Sequence, residues 1–176
     1  MQANSKFGRY FEDYAVGDHF QHPLGRTITA TDNAWFTLIT MNTHPLHFND
    51  DYAERTDFGK QLVNSGLSVA MVLGISVSDV SQHAVANLGW TNIQLPHPLF
   101  VGDTIYAESL VTATRASNSR PKAGIVSVIT RGLNQHGDIC VTFDRTVLVH
   151  RRSAASRFPF PQPAEPIQNQ LPRESA

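Results

Sequence analysis

The segment NTHPLHF, residues 42–48, holds the side chains best suited to acid–base chemistry. An imidazole has an unperturbed pKa of about 6.5, so His47 can both accept and return a proton near neutral pH. Asn42 cannot accept a proton, but its amide can orient a water molecule. A plain structural role is the alternative for each, because a histidine after a proline turn often anchors a loop and Asn is a common turn residue.

The pair His44 and His47, with Asp50 nearby, could also suggest a metal site. The two histidines bracket Pro45, however, and no third ligand stands at a recognisable spacing. We therefore expect no metal here. The sequence also contains no Gly-rich phosphate loop and no nucleophile elbow.

Two helices are predicted around this segment. Residues 31–40 open with Thr31 and Asp32, which are good N-cap residues, and predict a short helix. The residues expected to form its broad buried face are Trp35, Phe36, Leu38 and Ile39. Residues 62–80 contain no proline and place apolar and small residues at spacings of three and four, which predicts one long helix buried on most sides.

The second half of the chain predicts antiparallel strands. Residues 139–151 alternate between apolar and polar side chains, with Arg145 interrupting the apolar face. Residues 104–114 and 124–133 are rich in β-branched residues, and the polar connection 117–122 between them is typical of a hairpin loop. Helices followed by a run of such strands indicate an α+β fold.

Residues 41–71 resemble the signature of the MaoC-like (R)-specific enoyl-CoA hydratases and dehydratases. In that family a Gly-Asp-x-Asn-Pro-aliphatic-His loop leads through Tyr-Ala and Phe-Gly to a glycine that opens the hotdog helix. The matching residues here are Pro45, Leu46, His47, Tyr52, Ala53, Phe58, Gly59 and Gly66. The resemblance covers about residues 11–151, and NTHPLHF with ANLGW (residues 86–90) is most similar to the branch associated with mesaconyl-CoA or methylmalyl-CoA substrates.

The resemblance implies a single hotdog domain over residues 1–152, with a long central helix wrapped by an antiparallel sheet. Residues 153–176 are rich in Pro and Gln and are expected to form a mostly irregular tail. The implied function is reversible hydration of a 2-enoyl-CoA thioester with a branched or dicarboxylic short acyl group. Coenzyme A enters as part of the substrate, so we expect no separate cofactor. The family also implies a homo-oligomer, either a dimer or a dimer of dimers.

Such a hydration needs a base for water, an acid for the α-carbon and donors for the developing enolate oxygen. By resemblance, His47 is the general acid–base and Asn42 its helper, although the family usually has an aspartate at the position of Asn42 and an asparagine at that of His44. Backbone N–H groups at the helix start suit the enolate oxygen, which makes Gly66 and Ser65 the expected oxyanion and substrate-binding residues. Gly66 could instead serve only as a helix cap or a close-packing residue.

Two other functions remain open. Hotdog thioesterases commonly use a carboxylate on the long helix, but the only acid between residues 62 and 80 is Asp79, near the wrong end. A non-catalytic acyl-CoA-binding or assembly subunit is the second alternative, because Asn42 departs from the aspartate of the family.

The composition excludes some partners. The 176 residues carry 16% charged residues and a net charge of -1, so there is no basic excess to bind nucleic acid. No run approaches the roughly 18 apolar residues of a membrane span. Cys140 is the one cysteine and cannot form an internal disulfide, and the N-terminal residues lack the apolar stretch of a signal peptide. We therefore expect a cytoplasmic protein.

Overall fold

The computed structural model describes residues 8–154, 161 and 163–167. Short 3₁₀ turns lie at Phe11–Asp13, Pro45–His47 and Arg152–Ala154. The helices are α1 (Ala30–Ile39), α2 (Asp50–Glu54) and α3 (Ser65–Val80). The strands are β1 (His19–Gln21), β2 (Arg26–Thr27), β3 (Ala84–Gln94), β4 (Thr104–Ala116), β5 (Ala123–Leu133) and β6 (Ile139–His150).

The strands form one antiparallel sheet in the order β1-β4-β5-β6-β3, and β2 pairs with the start of β4. The predicted hairpin loop at residues 117–122 lies between β4 and β5, so that prediction is confirmed. The alternation predicted for residues 139–151 is also confirmed. The buried side of β6 carries Val141, Phe143, Arg145, Val147 and Val149.

Helix α3 packs against this sheet and supplies the centre of the core. Its buried residues Leu67, Met71 and Val72 belong to one apolar cluster with Phe143 and other sheet residues. Gly132 on β5 permits the close approach, because a Cβ there would lie 2.3 Å from the Val72 side chain. One long helix wrapped by an antiparallel sheet is the α+β arrangement that the sequence predicts.

The predicted buried face of α1 is wrong for three of its four residues, because only Phe36 packs against the core. Trp35, Leu38 and Ile39 are 69%, 62% and 74% exposed, whereas the polar residues Asn33 and Thr37 are fully buried. The physical reason is that the inner side of α1 packs over the loop that carries His47. Buried backbone groups of that loop need hydrogen-bond partners, which polar side chains of α1 supply. An apolar face of α1 is therefore left on the surface of this chain.

The predicted ends of the helices also need correction. The N-cap of α1 is Thr29, whose hydroxyl accepts from the Asp32 N–H, so Asp32 lies in the first turn and completes a capping box. Helix α3 begins at Ser65 rather than at residue 62, because the side chain of Asn64 caps it. Helix α3 is buried or half-buried on most sides, as predicted, and Ala70 and Gly74 are exposed on the remaining face.

None of the described helices is long and apolar enough to cross a membrane. The expected tail, residues 153–176, falls mostly outside the described residues. Its irregular conformation stays a prediction.

Candidate active site

His47 ends a 3₁₀ turn that begins at Pro45. Proline suits this first position, because a backbone N–H there would have no partner within the turn. Only 9% of the residue is exposed, and its Nδ1 lies 2.8 Å from the backbone oxygen of Leu62. A carbonyl oxygen can only accept a hydrogen bond, so Nδ1 carries a proton, and in the neutral ring the lone pair is then on Nε2. Nε2 has no hydrogen-bond partner among the described residues. The neutral ring can therefore accept a proton at Nε2.

The side chain of Asn33, fully buried on α1, fixes the backbone around His47. Its Nδ2 donates to the backbone oxygens of His47 at 2.8 Å and Leu62 at 3.1 Å. Its Oδ1 accepts from the backbone N–H of Asn64 at 2.8 Å. One amide therefore joins the histidine loop, the segment before α3 and the start of α3. Asn33 was not among the predicted site residues. Asn33 and Thr37 lie one helical turn apart and mark the buried side of α1, but the sequence does not show which groups they contact.

Asn64 continues this network to the start of α3. Its Nδ2 donates to the Thr37 hydroxyl at 3.1 Å, and its Oδ1 accepts from the Gly66 N–H at 2.9 Å. A Cβ on Gly66 would lie 3.1 Å from the ring of Phe36, so the glycine also permits close packing of α1. A thioester oxygen can bind the Gly66 N–H only by sharing it with Asn64 or displacing that side chain. The oxyanion role of Gly66 stays a prediction.

Asn42 lies just after α1, in a turn that reverses the chain. Its N–H donates to the Thr37 oxygen at 3.0 Å, and the N–H of Met41 donates to the Leu38 oxygen at 3.0 Å. Met41 has a φ of 57°, so these bonds form a Schellman motif with a methionine where glycine is usual. The Oδ1 of Asn42 accepts from the His44 N–H at 2.9 Å. Asn42 thus shapes the loop before His47.

The other side chains of the loop are held by the backbone. The Nδ1 of His44 accepts from the Leu46 N–H at 3.2 Å, and the rings of His44 and His47 lie 5.9 Å apart between centroids. No hydrogen bond joins Asn42 to His47 among the described residues. These residues also contain no group of three or more His, Cys, Asp or Glu side chains placed to hold a metal ion.

Ser65 lines a cleft of about 250 Å³ beside the start of α3. Leu62 lines the same cleft, and its backbone oxygen accepts from the His47 ring. His47 and Gly66 do not line the cleft themselves, although His47 contacts Leu62 and Gly66 follows Ser65 in the chain. Asn42 lies at the start of the loop that leads to His47.

Asp79 lies at the opposite end of α3, roughly 20 Å from Gly66 along the helix axis. Its carboxylate contacts Arg9 at 3.1 Å and His22 at 2.9 Å, and the His22 ring in turn contacts the buried Ser109 hydroxyl. Partial burial alone would raise the pKa of Asp79, but its hydrogen bond to His22 and the charge of Arg9 outweigh burial and lower that pKa. This carboxylate is engaged in a structural network, which disfavours the thioesterase alternative.

The fold, with a histidine whose ring contacts the segment before the long helix, defines a hotdog domain of the MaoC-like type. A solved MaoC domain protein dehydratase from Chloroflexus aurantiacus superposes with a TM-score of 0.80 at 29% identity, over 94% of this chain and 46% of that one. A Mycobacterium tuberculosis protein described as a double hotdog fold superposes with a TM-score of 0.75 at 23% identity, over 88% of this chain and 47% of that one.

The family is shown by sequence. The family model of mesaconyl-CoA hydratase matches residues 2–158. The chain is 36% identical over 161 residues to the mesaconyl-CoA hydratase of Cereibacter sphaeroides, a match that covers 92% of this chain and 46% of that protein. This chain therefore belongs to the mesaconyl-CoA hydratase family, which confirms the resemblance seen in the sequence. It spans about half the length of the curated relatives it matches.

Proposed function

We propose that this chain catalyses the reversible hydration of a 2-enoyl-CoA, and that its substrate is of the mesaconyl-CoA type. The observation that carries the proposal is the buried His47 ring, whose Nδ1 donates to the Leu62 oxygen while Nε2 is open to a ligand. The names of the relatives support the reaction, and their greater length is the reason that activity and substrate stay proposals for this chain.

The proposed mechanism uses one base on one face of the double bond. His47 Nε2 takes a proton from water as the water oxygen adds to the β-carbon, and the electrons of the double bond move to the thioester oxygen. The protonated ring then returns a proton to the α-carbon as the carbonyl re-forms. The addition of water forms a C–O bond and a C–H bond at the expense of the double bond, with no net oxidation or reduction, so the proposal requires no cofactor apart from the coenzyme A of the substrate.

The developing oxyanion is assigned to the first turn of α3. Backbone N–H groups there point out of the helix, and the helix dipole favours negative charge at this end. Gly66 and Ser65 are the proposed donors, and Asn64 Oδ1 must share the Gly66 N–H or give it up in the complex. Asn42 is proposed to orient water through its amide, acting in place of the aspartate that other family members carry.

We also propose that the chain works as a homodimer, or as a dimer of dimers. Strand β3 has eleven residues and pairs only with β6 among the described strands, so its other edge is unpaired. Its side chains Leu88 and Trp90 are 51% and 41% exposed. An unpaired edge with exposed apolar side chains suits pairing with a second copy of the chain.

The test follows the enoyl absorbance after mixing the purified full chain with mesaconyl-CoA or crotonyl-CoA, with thiol release measured in parallel. Loss of the enoyl band without thiol release is the expected result. His47→Gln should lower kcat by about 10²- to 10⁴-fold, the usual contribution of a general acid–base, and still fold. The matched control is His136→Gln, at an exposed turn, which should keep full turnover.

Three outcomes would contradict the hydratase. Near-normal turnover by His47→Gln would show that His47 is not the general acid–base, and thiol release would indicate a thioesterase. Tight binding of acyl-CoA with no change in either signal would favour the non-catalytic binding subunit, which the engaged Gly66 N–H and the asparagine at position 42 make the second candidate.

A further inference from the structure

The cleft beside Ser65 has two unlike walls. The first turns of α3 supply Ser65 and Ser68, and the segment of residues 95–99, which leads toward β4, supplies His97 on the other side. Most of the remaining lining is apolar, including Phe58 and Leu62. The cleft volume of about 250 Å³ suits a small acyl group with one polar end.

His97 is the one described lining residue that can carry a positive charge. Cys140 also lines the cleft, but burial raises the pKa of its thiol to about 11, so the thiol is neutral at physiological pH. Lys60 does not line the cleft, and its ammonium lies 4.2 Å from the centroid of the Phe100 ring. An anion that enters this cleft therefore meets His97 as its cationic partner.

A carboxylate lies beside the His97 ring. His97 Nε2 is 3.7 Å from Asp138 Oδ2, which also accepts from Asn134 Nδ2 at 2.9 Å. This contact is too long for a hydrogen bond, but a nearby negative charge favours a charged imidazole. His97 makes no hydrogen bond among the described residues. Its ring nitrogens are therefore available to a ligand.

We infer that His97 binds the free carboxylate of a dicarboxylic acyl group while His47 acts on its double bond. The assignment rests on the proposed function. A four-carbon diacid chain spans roughly 4 Å between its end carbons, which fits within the cleft. Leu62 lines the cleft together with His97, and its backbone oxygen accepts from the His47 ring, so His47 contacts one wall of the cleft.

The first experiment compares kcat/KM of His97→Gln for mesaconyl-CoA and for crotonyl-CoA, which carries the same coenzyme A but no free carboxylate. A charge-assisted hydrogen bond is lost only with mesaconyl-CoA, so kcat/KM should fall about 10- to 100-fold for that substrate and less than about threefold for crotonyl-CoA. His136→Gln is the matched control and should change neither value. An equal fall for both substrates would overturn the assignment, because it would indicate a contact with coenzyme A or a structural role.

A second experiment separates this inference from the proposed activity. Methylsuccinyl-CoA and butyryl-CoA are saturated and cannot be hydrated, so their binding by calorimetry reports on the cleft without turnover. The full chain should bind methylsuccinyl-CoA about tenfold or more tightly than butyryl-CoA, and His97→Gln should remove that preference. If the preference is present and lost in the variant while no turnover occurs, His97 is assigned correctly and the hydratase proposal fails. No preference in the unchanged chain, or an unchanged preference in the variant, would overturn the role of His97.

Discussion

The orientation of His47 depends on a single buried amide. Asn33 donates two hydrogen bonds, to the oxygens of His47 and Leu62, and accepts one from Asn64. The Leu62 oxygen in turn accepts from Nδ1 of the His47 ring, so a shift of this backbone changes the direction of the ring. Asn33 acts on the reaction through position, without contacting the proposed substrate.

Replacing Asn33 should therefore cost both stability and activity. Asn33→Ala leaves the His47 oxygen and the Asn64 N–H unpaired in a buried site, while the Leu62 oxygen keeps its bond from His47 Nδ1. We expect a loss of about 2–4 kcal/mol in the free energy of unfolding. Asn33→Asp has the same shape but presents an oxygen to the two carbonyl oxygens, so it should be at least as destabilising at neutral pH. Urea unfolding and kcat measure the two effects, and kcat should fall by more than about tenfold in both variants.

Asn49→Asp is the matched control for the negative charge that Asn33→Asp introduces. Asn49 caps α2 with its Oδ1, which accepts from the Tyr52 N–H, and it is exposed. Asn and Asp are nearly equivalent caps, so this change should alter the free energy of unfolding by less than about 0.5 kcal/mol. An Asn33→Asp protein as stable as this control would show that the amide donors at Asn33 are dispensable.

At the level of elements, the N-terminal end of α1 is held by local contacts. Thr29 accepts from the Asp32 N–H, and Asp32 accepts from both the hydroxyl and the N–H of Thr29. These hydrogen bonds, with Arg26, lower the pKa of Asp32 below its ordinary value of 3.8. The cap matters to the site because α1 carries Asn33.

Thr29→Ala should lower the free energy of unfolding by about 1 kcal/mol at pH 7, the usual cost of losing a cap. Because the pKa of Asp32 is lowered in the folded state, its contribution is present above a pH near 4 and is lost as the pH falls through the folded pKa. The difference between Thr29→Ala and the unchanged chain should therefore shrink toward pH 3. Thr29→Ser keeps the hydroxyl and should show neither effect in urea unfolding at the two pH values.

The contrast between strands and α1 shows which elements the sequence could predict. Strand alternation and the hairpin at residues 117–122 are local properties, and both are confirmed. The direction of α1 was wrong because its sequence does not show what lies on each side. The buried side meets backbone groups near His47 and needs the amide of Asn33, whereas Trp35 and Ile39 face outward.

The residues of the site also differ in whether local sequence signals could predict them. His47 and the start of α3 could be placed from residues with strong local signatures, Pro45 and Gly66. Asn64 and Asn33 could not, because their roles depend on hydrogen bonds between segments 31 residues apart in the chain. A single sequence contains no direct signal for such a contact.

At the level of the whole molecule, the described residues leave several apolar or small-residue surfaces uncovered. They are the outer face of α1, the face of α3 with Ala70 and Gly74, and the free edge of β3 with Leu88 and Trp90. The opposite edge of the sheet is different, because the short strands β1 and β2 pair with β4. A long unpaired edge promotes pairing with another chain, so the β3 edge is the expected dimer contact.

Leu88→Lys places a charge on this edge at a half-exposed position and should convert the dimer to a folded monomer in sedimentation equilibrium. The control is Leu110→Lys, since Leu110 is 40% exposed but lies on β4, paired on both sides with β1 and β5. If the second copy completes the site, hydratase activity should fall with dimer content in Leu88→Lys and persist in Leu110→Lys. A Leu88→Lys protein that stays dimeric would show that the dimer contact lies elsewhere. An unchanged chain that is monomeric and active would show that the reaction does not require a second copy.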